Sequence, residues 1–158
     1  MTNSRSKPAI WLRCSLLALV VAACSSRLGP ETDSLADARA RWDAREPVEY
    51  SFSFRRGCFC GPDYIREMSV RVRDGQVVSA VYVDGDEPTE PAAELVPTID
   101  ALLDEIEEAI ERDAHELLAT YDDEFGYPLE VSIDYILQAV DEEMYFQVRD
   151  FEVIANGS

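Results

Sequence analysis

The sequence is poor in the residues from which catalytic and metal sites are usually built. It has one histidine, His115, and one lysine, Lys7, among 158 residues. It contains no H-E-x-x-H pair, no glycine-rich phosphate loop after a strand and no serine in a nucleophile elbow. Its carboxylates are so numerous that no two of them stand out as an acid–base pair. We therefore expect a protein that is not an enzyme and that carries no cofactor.

A long hydrophobic run is also missing. The longest apolar stretch covers residues 15–23 and follows the basic residues Arg5, Lys7 and Arg13. It is shorter than the about 20 residues that span a bilayer, and a basic start with a short apolar run is typical of a secretory signal. The stretch ends in Val21-Ala22-Ala23-Cys24, which resembles a bacterial lipobox, where the cysteine is lipidated and becomes residue one.

These features predict three parts of the chain. Residues 1–23 form a signal peptide, Cys24 with residues up to 33 forms a lipidated flexible tether, and residues 34–154 form a single domain. Two or three acyl chains hold a protein stably on a membrane. We expect a cell-envelope protein, on the outer membrane facing the periplasm in a Gram-negative cell or on the outer face of the plasma membrane in a Gram-positive one. An ordinary signal peptide or a short membrane anchor is the alternative.

Positive charge is scarce once the signal is removed. Its removal takes three of 14 basic residues and none of the 32 acidic ones, so 11 remain against 32 and the net charge is −21. Residues 24–83 are balanced, whereas residues 84–158 hold two arginines against 23 acids. Such a field disfavours nucleic acid and anionic lipid, and it favours cationic proteins or divalent cations. A solvated acidic surface is the simpler interpretation.

Only two cysteines remain after the signal and the lipidated residue, Cys58 and Cys60. Side chains at i and i+2 of a strand share a face, so the sulfurs could meet. Two strand steps span about 6.6 Å, near the upper limit of about 6.8 Å between the Cα atoms of a disulfide, and Gly57, Gly61 and Pro62 could shorten that distance. We favour a local disulfide over reduced buried thiols, an intermolecular bridge, a metal clip or a redox pair.

Two segments show helical periodicity. The first begins at Ser34, in a pattern resembling a capping box, and ends at Pro47. The second is capped by Thr98 and ends near Arg112. Its apolar stripe consists of Ile99, Leu102, Leu103, Ile106 and Ile110.

Alternation between apolar and polar residues predicts strands over 50–54, 68–73, 117–121 and 129–133. Residues 77–83 are expected as the hairpin partner of the second strand, and residues 144–154 as a closing strand. Residues 117–121 could instead extend the second helix. Asp74-Gly75 predicts a hairpin turn, and residues 84–97, with three prolines, an exposed connection. The order favours an α+β domain, with an antiparallel sheet of about five to six strands, one long amphipathic helix packed on one face and a short N-terminal helix.

The acidic loops are weak candidates for calcium binding. Asp84 and Asp86 in one loop, and Asp122 and Asp123 in another, offer oxygen ligands, but neither loop has the ligand spacing of an EF-hand. Solvated turns are the preferred interpretation. Residues 126–128, Gly-Tyr-Pro, predict a chain reversal whose tyrosine packs on the sheet, in preference to an aromatic binding platform. The histidine at 115 is expected at the surface between a helix and a strand.

An ordered set of landmarks resembles an uncharacterised family of small bacterial lipoproteins and exported proteins. The landmarks are Trp42, Tyr50-Ser51-Phe52, Cys58-Phe59-Cys60, Asp74-Gly75, Thr98-Ile99-Asp100, Tyr121-Asp122 and Gly126-Tyr127-Pro128. Leu103 departs conservatively from the aromatic residue usual at its position. The resemblance spans roughly residues 40–150 and implies the domain boundaries, but no activity.

Two functional hypotheses follow. We expect a non-enzymatic binding or interaction module, attached to the membrane through Cys24, whose sheet or acidic second half engages a protein partner in the envelope or cations. The alternative is a thiol-active protein that uses Cys58 and Cys60 for metal handling or disulfide exchange.

Lipidation is tested by moving the chain off the membrane. We expect the full chain, expressed in a bacterium, to sediment with membranes and to incorporate labelled fatty acid, whereas Cys24→Ser releases it to the soluble fraction. Cys14→Ser, inside the signal, is the matched control and should leave both readouts unchanged. Fatty-acid labelling that survives Cys24→Ser would contradict the assignment.

Overall fold

The computed structural model describes residues 30–136 and 143–155. The predicted signal peptide and Cys24 therefore lie outside the described residues, as does most of the predicted tether. The elements are α1 (Pro30–Arg45), β1 (Glu49–Gly57), β2 (Met68–Arg73), β3 (Gln76–Tyr82), α2 (Glu90–Ala93), α3 (Ile99–Glu111), β4 (Glu116–Tyr121), β5 (Pro128–Asp134) and β6 (Glu143–Val153), with a 3₁₀ turn at Pro62–Tyr64. No helix in this part of the chain is long and apolar enough to cross a membrane.

The strands form one six-stranded sheet with the order β3-β2-β1-β6-β5-β4. All five pairings are antiparallel, which confirms the predicted α+β class. Residues 116–121 form a strand rather than more helix, and His115 is exposed at the junction before it. The expected connection after β3 contains the short helix α2, whose Ala92 is buried.

Strand alternation places the core on one face of the sheet. Tyr50, Phe52 and Phe54 of β1 are nearly completely buried, because successive strand residues point to opposite faces. The alternation of β6 changes at Asp150, where a bulge with a φ of 50° interrupts the register with β1. The bulge turns Phe151 to the core face, where its ring packs among aromatic side chains.

Helices α1 and α3 cover this core. Thr98 caps α3 as predicted, since its Oγ1 accepts a 3.1 Å hydrogen bond from Ala101 N. The buried stripe of α3 consists of Ile99, Leu102, Leu103, Ile106 and Ala109, while Ile110 is only partly buried. Helix α1 is longer than expected, with 16 residues against 13 in α3. It already includes Pro30, which the first turn of a helix tolerates well, so Ser34 lies inside the helix.

The opposite face of the sheet holds the one charged side chain that is buried among the described residues. Glu49 is 4 % exposed, and its carboxylate accepts hydrogen bonds from Arg73 Nε at 3.0 Å and Arg71 Nε at 2.6 Å. The two guanidinium groups hold the pKa of Glu49 below its usual range, with Arg73 as the main cause. The cross-strand clamp therefore joins the start of β1 to the end of β2.

The loop between β4 and β5 packs tightly on α1. Gly126 has a φ of 82°, as the predicted chain reversal requires, and a Cβ at this position would clash with the carbonyl oxygen of Ala38. The neighbouring Tyr127 ring stacks on Phe151 with centroids 4.5 Å apart, which confirms that it packs on the sheet.

We expect Gly126→Ala to lower the free energy of unfolding by about 2–5 kcal/mol, the sum of left-handed backbone strain and a steric clash. Gly85→Ala is the matched control, because Gly85 also has a positive φ, of 96°, but no atom lies within 4 Å of the position that a Cβ would take. It should cost only the strain, about 1–2 kcal/mol. Urea denaturation compares the two variants, and equal losses would contradict the close packing of the loop on α1.

Candidate functional site

A cavity of about 660 Å³ opens at the end of the sheet where β1 begins. Four segments form its walls: the end of α1, the turn into β1, the β2–β3 turn and the first turn of α3. The lining residues are Trp42, Asp43, Glu46, Pro47, Val48, Tyr50, Asp74, Gly75 and Asp100. The volume falls within the range of about 300–1,000 Å³ found for small-ligand sites. We call this space the acidic cavity.

Two buried aromatic residues form the inner wall of the acidic cavity. The rings of Trp42 and Tyr50 meet edge to face, with centroids 5.3 Å apart and planes at 88°. Trp42 Nε1 donates a 3.0 Å hydrogen bond to Asp100 Oδ1, and Ile99 N donates a 3.2 Å bond to the Tyr50 hydroxyl. Burial, reinforced by the charge of Asp100, raises the pKa of Tyr50, so the hydroxyl is neutral. Both rings are thus fixed to the first turn of α3.

Carboxylates surround the mouth of the acidic cavity. Asp43, Glu46 and Asp74 are exposed there, and none of them forms an ion pair with another described residue. Glu46 and Asp74 have positive φ angles of 33° and 50°, since each lies where the chain reverses. Asp74 N donates a 2.9 Å hydrogen bond to the Val48 carbonyl, which fixes the hairpin turn beside the turn into β1.

The arginines next to these carboxylates in the sequence are engaged elsewhere. Arg73 binds Glu49 on the opposite face of the sheet. Arg45 Nη1 lies 3.1 Å from Glu124 Oε1, and its guanidinium lies over the Phe125 ring, 5.1 Å from the centroid. Of the described residues, no basic one lines the acidic cavity. The arrangement therefore suits a ligand with a positive charge and an apolar portion.

The cysteines lie at the other end of β1. The Cα atoms of Cys58 and Cys60 are 5.2 Å apart and their sulfurs are joined as a disulfide. The separation is shorter than two strand steps because β1 ends at Gly57 and the chain bends there. Phe59, between the cysteines, is 85 % exposed. We call residues 58–60 the cysteine clasp; formation of the disulfide in the cell stays a prediction.

A second, apolar pocket of about 320 Å³ borders the cysteine clasp. Its lining residues are Phe54, Arg56, Cys58, Cys60, Tyr64, Met68, Ala92, Leu95 and Val96. The charge of Arg56 is compensated, since its guanidinium donates hydrogen bonds of 3.0 and 3.2 Å to the Glu105 carboxylate. The pocket therefore offers mainly apolar contact.

The acidic loops are held by contacts within the protein. Asp84 and Asp86 both pair with Arg66, at 2.6 and 3.0 Å, and the guanidinium lowers the pKa of Asp84. Asp122 accepts hydrogen bonds from two backbone N–H groups of its own loop, and Asp123 beside it is exposed. No group of three or more histidine, cysteine, aspartate or glutamate residues suited to a metal occurs within the described ranges. Calcium binding by these loops stays a prediction.

The sequence patterns do not indicate the acidic cavity. They predict a helix that includes Trp42, a strand that includes Tyr50 and a turn at Asp74-Gly75, and the structure bears out each assignment. The cavity forms where the end of α1, the turn into β1, the β2–β3 turn and the first turn of α3 meet at one end of the sheet. The only signal in the sequence is that acidic residues lie beside the buried aromatic residues and at the turns.

Comparison with protein-family models yields a match. A family model described as "Family of unknown function (DUF6174)" covers residues 34–153, a range that includes both the acidic cavity and the cysteine clasp. No curated protein and no solved structure matches the chain.

The cysteine clasp is expected to set local shape more than global stability. Replacing both cysteines by serine should lower the free energy of unfolding by no more than about 1.6 kcal/mol, because the closed ring is very small. Urea denaturation measures the change, and the wild-type chain treated with a thiol reductant is the control that should reproduce it. A loss several times larger would show that the clasp supports the core.

Proposed function

The chain belongs to DUF6174, a family of unknown function, and we propose that it is a lipid-anchored, non-enzymatic binding module of the cell envelope that takes up organic cations. The observation that carries this proposal is the acidic cavity, where three carboxylates without ion-pair partners among the described residues surround a wall of two buried aromatic rings. The export signal and Cys24 support the location.

The chemistry of the acidic cavity favours an organic cation over a metal ion. Calcium is held by six to eight oxygen ligands at short range, whereas the inner wall here is made of the Trp42 and Tyr50 rings. Aromatic faces attract ammonium and guanidinium groups, and tryptophan does so best. A cavity of about 660 Å³ also has room for a side chain and not only for an ion.

A basic segment of another protein is the ligand that fits best. One lysine or arginine side chain can place its charge among Asp43, Glu46 and Asp74 and its methylene groups against Pro47 and Val48. The net charge of −21 predicted for the mature chain attracts such a segment over distance, because a strongly charged protein steers oppositely charged partners. This long-range attraction weakens as the salt concentration rises, because salt screens the charges.

Binding is measured through an intrinsic probe. Trp42 is the one tryptophan left after residues 1–23 are removed, and it lines the acidic cavity. We expect a triarginine peptide to change its emission saturably, with a Kd that rises as NaCl is added, and a triglutamate peptide to have no effect. An unchanged Kd between low and high salt would contradict the proposal.

Asp74→Asn removes one charge from the mouth of the cavity and keeps the turn, because asparagine tolerates a positive φ. The Kd for triarginine should rise about three- to tenfold, since a charge pair at close range contributes on the order of 1 kcal/mol in water. Asp123→Asn, an equal charge change in another exposed loop, is the matched control and should leave the Kd nearly unchanged.

The chain in which both Cys58 and Cys60 are replaced by serine should bind triarginine with the wild-type Kd. If it does not, the thiol-active alternative is favoured.

A further inference from the structure

Half of the large hydrophobic residues that are exposed lie in loops at one end of the sheet. Ten such residues are exposed among those described. The five at this end are Phe59, Ile65, Val83, Leu95 and Ile136. Phe59 follows β1, Ile65 precedes β2 and Val83 follows β3. Leu95 borders the pocket beside the cysteine clasp, and Ile136 follows β5. Antiparallel pairing brings these strand ends together, and we call this the cysteine end of the domain.

Helix α3 runs from the acidic cavity towards the cysteine end. Its first residue, Ile99, binds Tyr50 at the start of β1, and Glu105, further along the helix, binds Arg56 near the end of β1. The helix is thus roughly parallel to β1, and its last residue, Glu111, lies towards the cysteine end.

Helix α1 runs in the opposite direction on α3. Trp42 binds Asp100 in the first turn of α3, whereas Arg39, one turn earlier in α1, binds Asp104 and Glu107 further along α3. The start of α1 therefore points to the cysteine end of the domain.

The predicted lipid anchor enters the domain at this same end. Cys24 precedes Pro30 by six residues, which span at most about 20 Å even when fully extended. A chain lipidated at Cys24 thus holds the start of α1 close to the bilayer surface. The cysteine end then faces the membrane, and the acidic cavity at the opposite end faces away from it.

We propose that the cysteine end rests on the bilayer and that Phe59, held out by the cysteine clasp, inserts into it. The proposal rests on the lipid anchor of the proposed function. Phe59 is the most exposed of the ten large hydrophobic residues, at 85 %, and an aromatic side chain gains from burial among lipids. Phe59 lies between the two bridged cysteines and does not line the adjacent pocket, and the acyl chains keep it near the bilayer surface, where tethering raises its effective concentration.

The charges at the cysteine end select a neutral lipid surface. In the described loops that carry these apolar residues, Arg66 is the arginine that forms ion pairs, and it binds both Asp84 and Asp86. This group of one arginine and two aspartates has a net negative charge. Anionic lipid headgroups repel such a surface. Insertion of Phe59 should therefore be deeper in vesicles of zwitterionic lipid than in vesicles rich in anionic lipid.

A tryptophan at position 59 reports on insertion. The lipidated full chain carrying Phe59→Trp is reconstituted on zwitterionic vesicles, and flotation of the vesicles measures attachment separately. Val153→Trp is the matched control, because Val153 is also an exposed residue, at 48 %, and pairs with Tyr50 at the opposite end of β1 without lining the acidic cavity. Trp42 contributes the same buried background to both variants.

We expect the Phe59→Trp emission to move to shorter wavelength on vesicles and to be quenched by brominated lipid, with no change for Val153→Trp. If the chain floats but neither introduced tryptophan responds, the proposal that Phe59 inserts is wrong, whereas the proposed lipid anchor is supported. Equal responses from both variants would refute the orientation. A Phe59→Trp response to solubilised envelope proteins, but not to pure lipid, would overturn the proposal in favour of a protein partner. If the wild-type chain fails to float, the anchor is wrong, and this orientation with it.

Discussion

The pairing of β1 with β6 holds the domain together, because it joins the half-sheets β3-β2-β1 and β6-β5-β4. A single bulge in that pairing, at Asp150, decides how the core is completed. It turns Phe151 towards the helices, where the ring stacks on Tyr127 and lies 5.9 Å from Trp42 and 5.5 Å from Tyr50. The inner wall of the acidic cavity therefore depends on the register of a strand that does not line it.

The uneven charge of the sequence is partly cancelled in space. Arginines from the first half of the chain lie against carboxylates from the second half, in the pairs Arg39–Asp104, Arg45–Glu124 and Arg56–Glu105. The exposed pairs Arg39–Asp104 and Arg45–Glu124 add little to stability, typically less than about 1 kcal/mol each, whereas Arg56–Glu105 is partly buried. Of the three, Arg39–Asp104 joins α1 to α3 and so helps to set which ends of the two helices meet. The carboxylates at the mouth of the acidic cavity are among those left without such a partner in the described part of the chain.

Local patterns predict most elements of the fold, because hydrophobic alternation and capping act over a few residues. The structure confirms the predicted helix cap at Thr98 and the predicted turn at Asp74-Gly75. The predicted start of α1 at Ser34 is too late, because the helix already begins at Pro30. The bulge at Asp150 and the acidic cavity escape prediction for a different reason. Both arise from how distant segments meet, and such contacts leave no short-range signal in one sequence.

The strand order also determines when the domain can form during synthesis. The central pair joins Tyr50 to Val153 and Gly57 to Tyr145, so a strand made early must wait for one made near the end. Contacts between such distant residues slow folding, because a long loop has to close first. Until β6 leaves the ribosome, neither half-sheet has its full set of neighbours and the core stays open. Such a delay suits the export predicted from residues 1–23, because a chain that has not yet folded can pass through a narrow channel.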